Sequence, residues 1–102
     1  MKVSDYIIHY LYEQKVSHIF EVIGGMTTHL TDSACKHEKM NLVSCHHEQA
    51  AAFAADSMAR VTGIPGIAMA TSGPGATHLL TGIAACYFDS TPAIFITGQV
   101  NL

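Results

Sequence analysis

Glu48 is the residue of this chain whose surroundings most clearly favour chemistry. It lies between an apolar run, residues 41–45, and an alanine-rich segment that continues to residue 62. Four alanines follow Glu48 at spacings that place them on its face of a helix, namely Ala51, Ala52, Ala55 and Ala59. Methyl groups there exclude water, which raises the pKa of a carboxyl, while a helix N-terminus opposes that rise. The pattern predicts an acid that shares a proton with a basic ring nitrogen, or, in the alternative, an acid that only stabilises its helix by about 0.3–1 kcal/mol.

Two glycine turns accompany Glu48, and each follows an apolar run. Gly24-Gly25 ends the first run, and Ser72-Gly73-Pro74-Gly75 ends the third. The second turn has the position of a phosphate-binding turn between a strand and a helix, but His78 stands where a dinucleotide motif has its third glycine. No Lys-Ser/Thr pair follows it, so it is not a P-loop. These residues favour a tight strand-to-helix turn over a dinucleotide site.

Metal and nucleophile sites receive little support from the residue spacing. Cys45, His46 and His47 are consecutive, whereas the paired ligands of structural zinc sites are separated by about two to four residues. Ser72 lacks the G-x-S-x-G pattern of a nucleophilic serine. We therefore predict neither a metal site nor a serine nucleophile.

The composition restricts the partners. Hydrophobic residues make up 49% of the chain and charged residues only 13%, so we expect another subunit or further chain to cover part of the surface. The net charge of −3 comes without a basic cluster, which argues against binding to nucleic acid or to a membrane. Cys35, Cys45 and Cys86 are odd in number and lie in apolar or helical segments, which indicates reduced, buried thiols in a cytoplasmic protein.

The elements that must position Glu48 alternate between helices and strands. The pattern predicts helices over 4–15, 27–37 and 47–62, strands over 18–23, 41–45, 66–71 and 92–97, and a fourth helix after residue 75. Asp56 and Arg60 are expected to pair on the exposed side of the third helix. The alternation predicts an α/β fold with a doubly wound, flavodoxin-like or Rossmann-like parallel sheet of about four strands and helices on both faces. Ligands bind beyond the carboxyl ends of such strands, where Glu48 and both glycine turns are expected to converge.

Six segments together carry a family resemblance. They are HEQAAAFAAD at 47–56, ARVTG at 59–63, TSGPGAT at 71–77, LLTGI at 79–83, YFDS at 87–90 and ITGQ at 96–99. As a set, they resemble the N-terminal, pyrimidine-binding domain of thiamine diphosphate-dependent enzymes, and most closely the acetolactate synthase large subunit and related 2-oxo acid decarboxylases. The resemblance implies that residues 1–102 are such a domain. Because the apolar strand over 92–97 has no following helix to cover it, we expect the domain to be incomplete at its C-terminal end.

The resemblance also implies a role for Glu48. An acid at this position in the family hydrogen-bonds ring nitrogen N1′ of the cofactor's aminopyrimidine, which allows the neighbouring imino group to remove the thiazolium C2 proton. The carbanion so formed attacks a 2-oxo acid, in acid–base chemistry relayed through the cofactor. By the same resemblance Gly25, Thr71, Pro74 and His78 lie close to the pyrimidine.

Further properties follow from the resemblance alone. It implies thiamine diphosphate and Mg²⁺ as cofactors, with the metal bound through a domain outside these residues, and it allows FAD. It also implies a homodimer or homotetramer acting on a small 2-oxo acid by decarboxylation or carboligation. Relatives commonly have asparagine at the position of His78 and aspartate at that of Ala85, which leaves the substrate open. The alternatives are a non-catalytic α/β binding or assembly module and a nucleotide-binding Rossmann half.

Overall fold

A computed structural model describes residues 1–101 as a parallel sheet with helices on both faces. In chain order the elements are α1 (Val3–Glu13), β1 (His18–Glu21), α2 (Thr28–Lys36), β2 (Asn41–Ser44), α3 (Glu48–Thr62), β3 (Gly66–Ala70), α4 (Pro74–His78), α5 (Leu80–Asp89) and β4 (Ala93–Thr97). A short 3₁₀ helix, Gly25–Thr27, precedes α2. The strands pair in the order β2-β1-β3-β4, and every pairing is parallel.

The β3 strand separates two hydrophobic layers because its side chains alternate between the faces of the sheet. Ile67 and Met69 join the core formed with α1 and α2, whereas Ala68 and Ala70 join the core formed with α3 and Leu79. All five β3 residues are buried, as expected for a strand that is covered on both faces. The predicted doubly wound α/β fold is confirmed.

The strand order places a topological switch point between β1 and β3. From β1 the chain crosses to β2 on one side, and from β3 it crosses to β4 on the other. The connections that leave these two neighbouring strands therefore run in opposite directions and open a crevice at the carboxyl edge of the sheet. Open α/β folds bind their ligands in such crevices.

Several local predictions were wrong. The first helix spans Val3–Glu13 instead of 4–15, and Ser4 lies inside it and accepts a hydrogen bond from Ser33 Oγ at 2.8 Å. The single helix expected after residue 75 is divided at Leu79 into α4 and α5. Leu79, the residue between the two helices, is fully buried in the core with Ala52, Ala55, Ala68 and Ala70.

Two predictions about burial were also wrong, one for Asp56 and one for Cys35. Asp56 is buried rather than on an open surface, because it accepts hydrogen bonds both from Arg60 Nε at 2.9 Å and from the Cys86 thiol at 3.3 Å. The pairing of Asp56 with Arg60 is itself confirmed. Among the cysteines, Cys86 is buried as expected and Cys45 is half-buried, but Cys35 is exposed. Among residues 1–101, every helix is too short or too polar to cross a bilayer.

Candidate functional site

Glu48 is the first residue of α3 and lies at the switch-point edge of the sheet. The chain leaves β2 in extended conformation, and His47 caps the helix by accepting a hydrogen bond from the Gln49 backbone N–H at its Nδ1, 3.0 Å away. A side-chain acceptor at this position satisfies one of the backbone donors that a helix N-terminus leaves unpaired. The cap fixes the start of α3 and therefore the position of the Glu48 carboxyl group.

The Glu48 carboxyl group is largely covered and is bonded to a histidine from another element. Oε2 lies 3.1 Å from Nδ1 of His78, the last residue of α4, and the Glu48 side chain is only 15% exposed. The rings of His78 and His47 stack with centroids 4.6 Å apart and planes inclined by 27°. The carboxylate thus lies beside two imidazoles, one bonded to it and the other stacked on the first.

The protonation of Glu48 depends on opposing influences. Burial raises the pKa of the Glu48 carboxyl, but its own backbone N–H and the hydrogen bond from His78 outweigh burial and hold that pKa below its usual value. Glu48 is therefore ionised at neutral pH and can only accept hydrogen bonds. Because an ionised carboxylate donates none, the bonded Nδ1 of His78 must carry the hydrogen.

The alanines beside Glu48 bring protein backbone close to α3. Ala51, Ala52 and Ala55 are fully buried and Ala59 nearly so. A Cβ added to Gly82 of α5 would overlap the Ala52 methyl, and Ala52 backbone carbons lie 3.3 Å from that position. Gly82 of α5 thus makes a close approach to α3, the helix that begins with Glu48, and the Ala52 methyl limits the distance between these two helices.

The two glycine turns meet beside this carboxylate. The Met26 backbone N–H donates to Thr71 Oγ1 at 3.3 Å and so joins the turn after β1 to the turn after β3. A Cβ on Gly24 would lie 2.6 Å from Thr71 Cγ2, and a Cβ on Gly75 would lie 3.0 Å from Thr71 Cγ2 and 3.5 Å from Glu48 Oε1. Both turns can close on Thr71 only because these two positions have no side chain.

The predicted site residues are brought together to different degrees. Glu48, Thr71 and His78 converge. Glu48 and Thr71 both border the buried Gly75, and His78 is hydrogen-bonded to Glu48. Pro74 is the first residue of α4, where its fixed φ suits a helix start. Gly25 is exposed, and nothing lies within 4 Å of the position a Cβ would take there. It therefore borders open space at the same edge.

His47 was missed from the sequence, whereas Gly24 and Gly75 were expected at the site only as members of their turns. The glycines had a signal, since each belongs to a glycine turn, but nothing in the sequence showed that Thr71 would press against both. His47 had a signal of another kind, because it directly precedes the first helical residue and so stands at the N-cap position. Its stacking on His78 has no counterpart in the residue spacing.

The cluster of His47, Glu48 and His78 is compact enough to raise the question of a metal ion. One ligand atom from each residue lies within 4.8 Å of the others. However, His47 Nδ1 accepts the Gln49 N–H, so the neutral ring carries its hydrogen on Nε2, and a metal-binding nitrogen must carry none. Metal binding by His47 would therefore require the loss of the α3 cap. We assign the cluster to hydrogen bonding.

Comparisons with known proteins agree with this geometry. The family model described as "Thiamine pyrophosphate enzyme, N-terminal TPP binding domain" matches residues 1–102. The acetolactate synthase large subunit of Cyanidium caldarium is 47% identical over 98 residues, which cover 93% of this chain and 17% of that protein. The probable acetolactate synthase large subunit of Methanocaldococcus jannaschii is 45% identical over 100 residues, 98% of this chain and 17% of that protein.

A third relative covers almost the whole chain. The acetolactate synthase isozyme 2 large subunit of Escherichia coli K12 is 43% identical over 101 residues, which are 99% of this chain and 18% of that protein. The chain thus spans less than a fifth of the length of these curated relatives. On the match of the family model and these identities, the chain belongs to the thiamine pyrophosphate enzyme N-terminal TPP binding domain family.

Proposed function

We propose that this chain is the pyrimidine-binding part of a thiamine diphosphate-dependent enzyme that decarboxylates or joins 2-oxo acids, with Glu48 as its catalytic acid. The observation that carries the proposal is the placement of one ionised, largely covered carboxylate at the switch point, between two glycine turns. The acetolactate synthase names of the relatives support the reaction class. Gly25, Thr71, Pro74 and His78 are proposed to surround the same ring.

The residues present fit an aminopyrimidine. An ionised carboxylate is the acceptor that a ring nitrogen bearing a proton requires. Gly75 lies beside Glu48 Oε1, since a Cβ there would be in van der Waals contact with that oxygen at 3.5 Å, and the glycine leaves that space free. The open space beside Gly25 leaves room for a flat ring at the same edge. The site thus offers one charged acceptor and narrow walls without bulky side chains.

In this proposal the residues of the chain bind, orient and hold a proton. Thiamine diphosphate, when bound, supplies a nucleophilic carbon that can attack a 2-oxo acid. Glu48 accepts a hydrogen bond from the pyrimidine and shares its proton, which is general acid–base catalysis by a fixed group. The His47 cap and the Ala52–Gly82 contact keep the carboxylate in position, and the low exposure of Glu48 strengthens the bond by excluding water.

The remaining properties of the complete enzyme are proposed with the same function. Assembly as a homodimer or homotetramer is supported by large apolar side chains exposed on α3 and α5, namely Val61, Leu80, Tyr87 and Phe88. A cytoplasmic location is supported by three unpaired cysteines. Mg²⁺ and FAD stay predictions from the resemblance.

The test is Glu48→Gln in the full-length enzyme, read out by exchange of the cofactor C2 proton with deuterium. Glutamine keeps the shape but cannot take up or release a proton, so we expect exchange to slow by about 10²–10⁴-fold. Glu38→Gln, at an exposed glutamate in the link between α2 and β2, is the matched control and leaves exchange unchanged. An unchanged exchange rate in Glu48→Gln overturns the proposed function.

A further inference from the structure

His78 differs from Glu48 in its access to water. The Glu48 side chain is 15% exposed, whereas the His78 side chain bonded to it is 47% exposed. Within residues 1–101, the other titratable group that faces this carboxyl is His47, whose ring lies behind that of His78. His78 is therefore the polar group that joins a covered acid to the solvent.

Two contacts determine which ring nitrogen of His78 carries the hydrogen and how the ring is oriented. Because the Glu48 carboxylate accepts, Nδ1 is the donor, and Nε2 of the neutral ring keeps its lone pair. Stacking on His47 restrains the plane of the ring, and His47 is itself fixed by the hydrogen bond from Gln49 N–H. A histidine held in one tautomer by a carboxylate, with its other nitrogen unprotonated, is arranged to transfer protons.

We propose that His78 is a proton relay between solvent and Glu48. A proton from water or buffer binds Nε2, and the Nδ1 proton then passes to Glu48 Oε2. The carboxylate becomes a carboxylic acid, and the neutral ring now carries its hydrogen on Nε2. His78 has taken up one proton from the solvent side and given one proton to Glu48, with no change in electron count. The reverse steps restore the starting state.

The inference rests on the proposed function, because the relayed proton is the one that Glu48 shares with the aminopyrimidine. Once a ring covers the open side of the site, Glu48 has little direct access to water, and exchange of its proton depends on a neighbour. His78 meets that need at a bonded distance of 3.1 Å. It acts through Glu48 and is therefore a positioning and relay residue.

The decisive variant is His78→Asn in the full-length enzyme. An asparagine amide still donates a hydrogen bond to the carboxylate, but it does not take up a proton. At saturating thiamine diphosphate we expect C2 proton exchange at least about tenfold slower than in the parent, since a positioned proton-transfer group contributes about 10²–10⁴-fold.

Two further variants separate a relay from a structural role. His78→Ala removes the ring, and added imidazole should restore exchange in it but not in His78→Asn, where the amide fills the space. His46→Asn is the matched control and should leave exchange unchanged, because His46 is an exposed neighbour whose side chain makes no hydrogen bond within residues 1–101. Exchange that is equally fast in His78→Asn and the parent overturns the relay.

A second readout needs no cofactor. Nitrogen-15 NMR of histidine-labelled protein reports the tautomer of His78, and we expect the hydrogen on Nδ1 at neutral pH. A ring with its hydrogen on Nε2 overturns the proposal. If Glu48→Gln slows exchange and His78→Asn does not, only the relay fails. If neither variant slows exchange, the proposed function fails as well.

Discussion

The contact between Ala52 and Gly82 offers a direct test of how the site is held together. A Cβ added at Gly82 would overlap the Ala52 Cβ, whereas the nearest Ala52 backbone carbons, at 3.3 Å, are tight but clear of overlap. Gly82→Ala therefore forces α5 away from α3, which carries Glu48. Overpacking of this kind costs about 1–3 kcal/mol, and the better helix propensity of alanine returns about 1 kcal/mol.

Because these effects oppose each other, the single variant is less informative than a double-mutant cycle. Ala52→Gly alone loses a buried methyl and gains a helical glycine, at a combined cost of about 2 kcal/mol. In the double variant Ala52→Gly/Gly82→Ala the methyl group is on α5 instead of α3, so the overlap between two Cβ atoms disappears. The propensity terms cancel in the cycle, and we expect a favourable coupling energy of about 1–3 kcal/mol in the free energy of unfolding, measured with urea.

A matched pair between α3 and β3 supplies the control. A Cβ on Gly66 would meet the backbone carbonyl oxygen of Ala55, which no side-chain change removes. The cycle of Gly66→Ala with Ala55→Gly should therefore show little coupling, within about 0.5 kcal/mol of zero. Equal coupling in both cycles, or none between Ala52 and Gly82, would refute the claim that a methyl-to-backbone fit sets the α3–α5 distance.

Two further predictions concern the acid and the thiol at the far end of the same interface. Burial and the hydrogen bond to Asp56 raise the pKa of Cys86 to about 11. Iodoacetamide at pH 8 should therefore label the native protein at exposed Cys35 at least about 100-fold faster than at Cys86. Mass spectrometry of the labelled peptides gives the ratio of the two labelling rates. Burial raises the pKa of Asp56, but hydrogen bonds from Arg60 and Cys86 outweigh it and hold that pKa below the usual value. The ionised group therefore stabilises the fold above its unfolded pKa of about 3.9, and the stabilisation is lost as the pH falls through the lower folded pKa. Asp56→Asn should lower the free energy of unfolding by about 1.5–3 kcal/mol at pH 7, with a smaller difference from the parent below about pH 3; a difference independent of pH would contradict this.

Much of the fold was predictable because its periodicity is strong. The all-apolar β3 strand requires cover on both faces, and helices alternating with strands leave the doubly wound sheet as the natural solution. The alanine face of α3 was also readable, since spacing alone places Ala52 and Ala55 beside Glu48. The sequence could not predict which element packs against that face, because the contact depends on Gly82, thirty residues later in the chain.

The burial of charged groups could not be predicted from the hydrophobic pattern of the sequence. Glu21 lies in β1 with 1% exposure, and a hydrogen bond from the Thr31 hydroxyl at 3.2 Å reaches one of its oxygens. Burial raises the pKa of this carboxyl above its usual value, and the Thr31 bond only partly opposes the rise. A single acid in a short apolar run has no period, so the sequence could not say whether it points to solvent or to the core. Asp56 was predicted to be exposed for a different reason, because the helical spacing did not show that Cys86 of α5 would pack against it.

The pairing of Glu48 with His78 shows most clearly why a site of this kind needs a structure. The two residues are thirty positions apart on separate helices, and their bond requires α4 to end at His78. Leu79 follows His78 directly and is buried in the core with Ala52 and Ala55, between the two helices into which the predicted single helix is divided. Ala52 of that core also meets Gly82 of α5. The elements that carry Glu48 and His78 therefore share one core, and no local spacing in the sequence encodes that arrangement.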